Sequence, residues 1–202
     1  VAVAGSCDVE GRSRLPADSM TFIEPAPADE LYELELERVG YVPNYVRAFS
    51  HRPDVYRAWR GLVGAVQAAS DPRRYELATL AAAKRLRSSY CSLAHGKMLV
   101  DRFYSAEQVL RLPDGLDEAD AAIVAFAEKV ADDASLITQA DVQRLSDVGL
   151  SDAEITDVVL AAALRSFFAK TLDGLGALPD ALYGELEPEL REELTVGRPI
   201  DG

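Results

Sequence analysis

The stretch 76-ELATLAAAKRLRSSYCSLAHG-96 decides how this chain folds. Its opening run, ELATLAAAKRLR, is built largely from Ala, Leu, Lys and Arg, which are strong helix formers, and it is apolar around most of its circumference. Such a helix belongs inside a protein. The polar pair Ser88-Ser89 interrupts it, and a second helix is expected from about Tyr90 to Phe103. That helix would carry Cys91 and His95 one turn apart on the same face. They are one of only two cysteines and one of only two histidines in the sequence.

Similar text occurs again further on. Displaced by 78 residues, 154-EITDVVLAAALRSFFAKTLDG-174 lies over the first stretch, with Glu76 on Glu154, Arg87 on Arg165, Ser88 on Ser166 and Gly96 on Gly174. Cys91 meets Ala169, and His95 meets Asp173. Either two alanine-rich helices agree by chance, or the chain holds an internally duplicated helical unit whose first copy alone carries the thiol and the imidazole. The second reading points to the first copy as the site.

Outward from this pair the pattern stays helical. DELYELELERVG is amphipathic and closes at Gly40. Pro43 and Pro53 sit at helix starts, and Val55, Trp59, Leu62, Val63 and Val66 recur at helical spacing. Asp71-Pro72 marks the next boundary. LDEADAAIVAFAEKVADD and TQADVQRLSDVG have acidic or Thr starts and a Gly stop. SDAEITDVVLAAALRSFFAKTLDGLG reads as another helical pair, and ALYGELEPELREELTVGRPI as a short amphipathic segment with an extended end. No run reads as a strand, so the fold is expected to be all-α. Residues 1–27 mix Gly, Ser, Pro and charges, and read as an arm that is disordered or packed on a neighbour. Residues 28–202 read as a single helical domain.

At 202 residues and 49% hydrophobic content, the chain can bury a core without disulfide or metal staples. A net charge of −13 argues against nucleic-acid and anionic-membrane partners, which need a basic footprint. The longest apolar run is too short to span a bilayer. The opening VAVAGSCDVEGRSRLPADSM lacks the basic start and apolar core of a secretory signal. Cys7 and Cys91 make no disulfide framework, so a cytoplasmic location is expected. No phosphate loop, flavin or nicotinamide fingerprint, or haem ligand set is visible, and no cofactor is expected.

With Ser88 as N-cap, Cys91 is the third helical residue, where a free backbone N–H and the helix dipole favour a thiolate. The His95 ring leans back towards it, as acid or base for the thiol. Glu76 lies on the preceding helix and reaches the same place if the two helices fold back as a hairpin, orienting His95 and relaying protons. Against this stands the plain reading of Cys91 as a small buried hydrophobe. Glu76, Cys91 and His95 offer at most three mixed metal ligands, with no second Cys/His pair to complete a structural zinc site. Nothing supplies the oxyanion hole of a papain-like hydrolase. His51, beside Arg52-Pro53, reads as a turn residue, Tyr90 as a pocket wall or packing residue, and Trp59, Phe103, Phe167 and Phe168 as core or subunit contacts.

The spacing Glu76-x11-Ser88-x2-Cys91-x3-His95 resembles the alkylhydroperoxidase AhpD-like signature Glu-x11-Cys-x2-Cys-x3-His of the carboxymuconolactone decarboxylase superfamily. VPNYVRAFSHRPDVYRAW before it, SYCSLAHG within it, and ITQADVQRLSDVGLSDAEI and VGRPI after it look like the peroxidase-related branch, so the resemblance spans roughly residues 30–200. It implies an all-helical AhpD-like bundle with a duplicated unit, assembled as a homo-oligomer (dimer, trimer or hexamer). One position departs: Ser88 stands where the signature has its first cysteine. The disulfide that two such cysteines form after attack on peroxide is therefore closed to this chain. A sulfenic acid on Cys91 would need an external thiol or thiol protein, a cysteine of another subunit, or Cys7.

Three functions follow. The resemblance favours a thiol-dependent, peroxiredoxin-type peroxidase, with Cys91 as nucleophile, His95 as base, Glu76 as proton relay and Ser88 hydrogen-bonded to the sulfur. A decarboxylase-like enzyme would use His95 and Glu76 as acid and base, with Cys91 lining the pocket. A non-catalytic redox-sensing oligomer would keep the scaffold without turnover.

Overall fold

The computed structural model describes residues 20–200 and contains ten α-helices and no strand among them. At its centre lies α4 (Pro72–Arg85), packed against α5 (Ser89–Arg102), α7 (Glu118–Asp133) and α9 (Asp152–Leu175). Tyr75 through Ala83 are buried without interruption. The small side chains at Ala78, Ala81, Ala82 and Ala83 let neighbours approach α4 from several sides, as expected of a helix apolar all round. Its start is fixed by Pro72 in the first turn and by the Asp71 carboxylate, which accepts from the Arg74 N–H at 2.9 Å. Lys84 and Arg85 complement the dipole at its other end.

Charge ties the starts of three helices together. Asp120, in the first turn of α7, is fully buried and accepts from Arg73 and Arg74 of α4. Arg74 also pairs with Glu154 of α9 at 3.2 Å.

Around this centre lie α1 (Asp29–Val39), α2 (Asn44–Ala48), α3 (Pro53–Ala69), α6 (Ala106–Leu110), α8 (Gln139–Asp147) and α10 (Pro188–Leu194). The short α6 carries a Ser105/Gln108 capping box that the hydrophobic pattern did not reveal. Along α3, Tyr56 and Val66 are buried while Leu62 is 53% exposed, so its apolar pattern is only partly used inside this chain.

The similar stretches fold differently. Residues 76–96 make a hairpin of α4 and α5, broken at Arg87, whose φ is +56°. Residues 154–174 lie within the continuous helix α9, not the helical pair that the sequence suggested. The strap after α10 accounts for the break. Gly197 N–H donates to Ser89 Oγ at 2.7 Å, and Arg87 Nε donates to the Val196 carbonyl at 3.3 Å. A Cβ on Gly197 would sit inside contact distance of the Arg87 carbonyl oxygen, so only glycine lets the strap lie this close. The aligned partner of Ser89 is Phe167, which has no hydroxyl to anchor a strap, and there the helix runs on.

The described part of the arm lies on the helical body. Phe22 N–H donates to Leu175 O at 2.7 Å, Leu178 N–H to Met20 O at 3.1 Å, and Ala26 N–H to Ser50 Oγ at 2.9 Å. Cys7 and the rest of residues 1–19 lie outside the described residues. Among the described residues, no helix is long and apolar enough to cross a membrane.

Candidate active site

Cys91 is the third residue of α5 and is 1% exposed. The Ser88 N-cap is extended, and its carbonyl accepts from Ser92 N–H at 2.9 Å. Its hydroxyl does not cap the helix as expected, nor does it bond the sulfur; Ser88 Oγ is buried without a hydrogen-bond partner, as is Ser92 Oγ. The turn before it is left-handed at Arg87, and the Ser88 hydroxyl lies near enough to Asp173 of α9 to favour that carboxylate's charged form.

Glu76 and His95 meet across the α4–α5 hairpin, Nδ1 to Oε2, at 2.5 Å. Their side chains are 7% and 14% exposed, so water does little to weaken the contact. With a carboxylate accepting at Nδ1, the network assigns the proton to Nδ1 and leaves Nε2 with a free lone pair. Burial, and then the nearby Arg165 charge, hold the imidazole below its ordinary 6.5 against the opposing pull of Glu76. His95 is therefore neutral at physiological pH and equipped as a base. Among the described residues no hydrogen bond joins His95 directly to Cys91.

What joins the two is a residue that the sequence reading aligned but did not place in the site. Arg165, in the middle of α9, is 5% exposed and donates from Nη1 to Cys91 Sγ at 3.4 Å. Burial disfavours its charge, but the sulfur, Tyr75 and Glu76 together outweigh that and raise its pKa. The guanidinium also lies over the Phe168 ring at 5.5 Å, a cation–π contact, while its Nε has no partner. The signal was present: an arginine inside VVLAAALRSFFA, a helix apolar on most faces, needs something buried to face. Arg165 thus supplies a fixed positive charge at the sulfur and acts electrostatically on both members of the Glu76–His95 pair.

Tyr90, beside Cys91, is buried and donates to Asp180, which also accepts from Tyr41 OH at 3.3 Å and Asn44 N–H at 2.7 Å. Burial and Asp180 push the Tyr90 phenol well above its ordinary 10. As a neutral donor it ties α5 to the segment after α9, where the Asp180 carboxylate also holds the start of α2. Trp59 stacks on Phe168 with centroids 4.0 Å apart, and Phe49 stacks on the same ring at 5.6 Å, forming an aromatic wall behind Arg165. Phe103 is partly buried, whereas Phe167 is 45% exposed. His51 stands apart from the site, exposed, with Nε2 at 2.9 Å from the Glu24 carbonyl. No group of three or more His, Cys, Asp or Glu with the geometry to hold a metal ion occurs among the described residues.

No family model and no curated protein matches the sequence. Solved structures do match the fold. The alkylhydroperoxidase AhpD core of an uncharacterized peroxidase-related protein from Ralstonia eutropha JMP134 is 22% identical, with a TM-score of 0.68, over 90% of this chain and 100% of that one. An uncharacterized peroxidase-related protein from Silicibacter sp. TM1040 is 19% identical, with a TM-score of 0.68, over 84% of this chain and 93% of that one. The debrominase Bmp8, in its apo form, is 15% identical, with a TM-score of 0.70, over 87% of this chain and 100% of that one. At these identities the likeness establishes the architecture: the chain has an all-α, AhpD-like fold.

Proposed function

We propose that the protein is a thiol-dependent peroxidase in which Cys91 is the nucleophile, Arg165 its charge partner, and His95 with Glu76 the proton relay. The observation that carries this reading is the Arg165 guanidinium on the Cys91 sulfur, deep in the core and electrostatically linked to a neutral imidazole held by a carboxylate. A buried cation donating to sulfur stabilises negative charge there, and a base with a depressed pKa removes the thiol proton near neutrality. In the first half-reaction the sulfur attacks one oxygen of a hydroperoxide. An S–O bond forms as the O–O bond breaks, and the departing oxygen takes the proton that left the thiol, giving Cys91 sulfenic acid and an alcohol or water. In the second, two equivalents of an external thiol return Cys91 to the thiol, yielding their disulfide and water. An external thiol serves as reductant in this reading because Ser88 cannot form the neighbouring disulfide. A cytoplasmic location and a homo-oligomer fit the same reading.

A second reading rests on a different observation. The His95 side chain is 14% exposed while Cys91 is 1% exposed, so the imidazole is more accessible than the sulfur. That favours proton transfer at a carbon acid, in the manner of a decarboxylase, with Cys91 as wall. The debrominase on the same fold is a reason to include a brominated aromatic substrate in the assay.

The deciding experiment is intact-mass analysis after a brief peroxide pulse, with and without added thiol, on wild type, Cys91→Ser and His95→Gln. One added oxygen on the wild type, absent in Cys91→Ser and reversed by thiol, supports the peroxidase. An unmodified wild type, with a carbon-acid activity lost in His95→Gln and kept in Cys91→Ser, transfers the assignment to acid–base chemistry.

A further inference from the structure

Away from Cys91, a cavity of about 470 Å³ opens between the described end of the arm, the α2–α3 corner and the second half of α9. Its walls are apolar, formed chiefly by Ile23, Phe49, Val55, Phe167 and Leu175. Three basic side chains also line it, Arg47, His51 and Arg52, and no acidic one does. Two of the three, Arg47 and Arg52, carry a fixed positive charge. A volume of this size, mostly apolar with a few polar groups, is what small-molecule sites have.

The basic groups differ in how far they are already engaged. Arg52 forms two bonds to Asp54, and His51 Nε2 is occupied by the Glu24 carbonyl. The hydroxyls of Thr21 and Thr171, also on the lining, donate to the carbonyls of Ile23 and Phe167. Arg47 is different. It has no ion-pair partner among the described residues, its guanidinium rests over the Tyr32 ring at 5.7 Å, and its Nε–H is buried without an acceptor. Arg47 thus lines the cavity as a cation without an ion-pair partner among the described residues, and a guanidinium edge matches the two oxygens of one carboxylate.

We infer that this cavity binds a monocarboxylate carrying an apolar chain of medium length, with the carboxylate on Arg47 and the chain along Phe49 and Phe167. The site is separate from Cys91 and does not depend on the peroxidase reading. It also has a built-in reporter. Trp59 is the sole tryptophan, and it stacks on Phe168, which stacks in turn on the cavity residue Phe49.

The test is titration of the full-length chain with decanoate, below its micelle concentration, followed by calorimetry and Trp59 fluorescence. Decanol and a decyl-trimethylammonium salt serve as the uncharged and cationic controls. One decanoate per chain is expected, at least about tenfold tighter than either control, the margin a charge-assisted hydrogen bond supplies. Arg47→Gln should remove that margin. Phe167→Asp, at an exposed position, should weaken decanoate with the fold intact by circular dichroism. The inference is overturned if the full-length chain does not bind decanoate, if all three ligands bind alike, or if Arg47→Gln and Phe167→Asp both bind as wild type. It is overturned equally if decanoate affinity falls as protein concentration rises and sedimentation shows copies of the chain occluding this face.

Discussion

Residues 76–96 and 154–174 share a pattern, and their differences set the groups of the proposed site apart. In the first, Glu76 turns inward to His95; in the second, Glu154 closes a capping box with Ser151 on the surface of α9. Arg87 is exposed and holds the strap, whereas Arg165 is buried on the sulfur. Ser88 starts a new helix, while Ser166 donates back to the Ala162 carbonyl within an unbroken one. The asymmetry is complementary. The broken copy supplies the thiol, the imidazole and the carboxylate, and the straight copy delivers Arg165 to the sulfur and Asp173 to the neighbourhood of Ser88. A break gives a short hairpin that converges three side chains, and a straight helix gives the rigid back wall against which they are held.

The sharpest way to break this comparison is to treat the two arginines alike. Arg165→Gln should slow oxidation of Cys91 on the order of tenfold to a hundredfold, as loss of a preorganised donor does in a water-poor site. Arg87→Gln should leave that rate within about twofold, because an exposed side chain on a backbone carbonyl contributes little. Stopped-flow oxidation of the two variants, beside their urea midpoints, separates the roles. Equal rates would mean that the sulfur contact carries no chemistry.

The glycines give the next contrast, this time in stability. Gly96 and Gly174 align, yet a Cβ on Gly96 would overlap the buried Leu194 side chain, and one on Gly174 meets nothing within 4 Å. Gly96→Ala is expected to destabilise by about 1–3 kcal/mol through overpacking against α10. Gly174→Ala, exposed near the end of α9, should stabilise by about 0.5 kcal/mol through helix propensity. Thermal melts of the pair test whether α10 discriminates the two copies. Similar melting temperatures would show that Leu194 moves aside at little cost.

Much of this was legible in the sequence where the signal is local. Asp71-Pro72, Ser88-Ser89, Thr138 and Gly40 mark helix boundaries because caps and breakers act within a few residues. The meeting of Glu76 with His95 was also within reach, since one hairpin relates them. Arg165 is 74 residues from Cys91, and no local rule brings it there. Nor does the pattern reveal that Leu-Arg-Ser breaks a helix at 86–88 and continues one at 164–166. That depends on the strap from 195–200, which finds a hydroxyl at Ser89 and a phenyl ring at Phe167. Ser88 is the N-cap position that the sequence indicated, but its hydroxyl neither caps the helix nor bonds the sulfur, which no local rule reveals.

The titrating pair His95 and Asp173 separates the copies by pH. Burial disfavours charge on both, and so moves their pKa values in opposite directions. For His95 the folded value lies below the unfolded 6.5, so its stabilisation is fully present above 6.5 and is lost as the pH falls through the folded value. Unfolding of His95→Gln should therefore show a flatter acid limb just below 6.5 than wild type. Arg165→Gln removes one of the causes lowering the imidazole pKa, so the acid limb of Cys91 oxidation should move to higher pH in that variant. An acid limb that does not move would remove Arg165 from the proposed proton relay while leaving its contact with sulfur.

Asp173 has the opposite sign and the smallest effect. Its folded pKa is raised above 3.8 by burial, with the Ser88 hydroxyl and Arg198 pulling against that rise. The contribution of the protonated carboxyl is fully present below 3.8 and is lost as the pH rises through the folded value, so at neutral pH the ionised group is a net cost. Its side chain is 32% exposed and Arg198 stands 3.7 Å away, which makes that cost small. Asp173→Asn should raise the melting temperature at pH 7 by about 1–2 °C and leave it unchanged near pH 3. A lower melting temperature at pH 7 would mean that the Arg198 pair outweighs burial. The straight copy would then hold the strap by charge, as the broken copy holds it through Ser89.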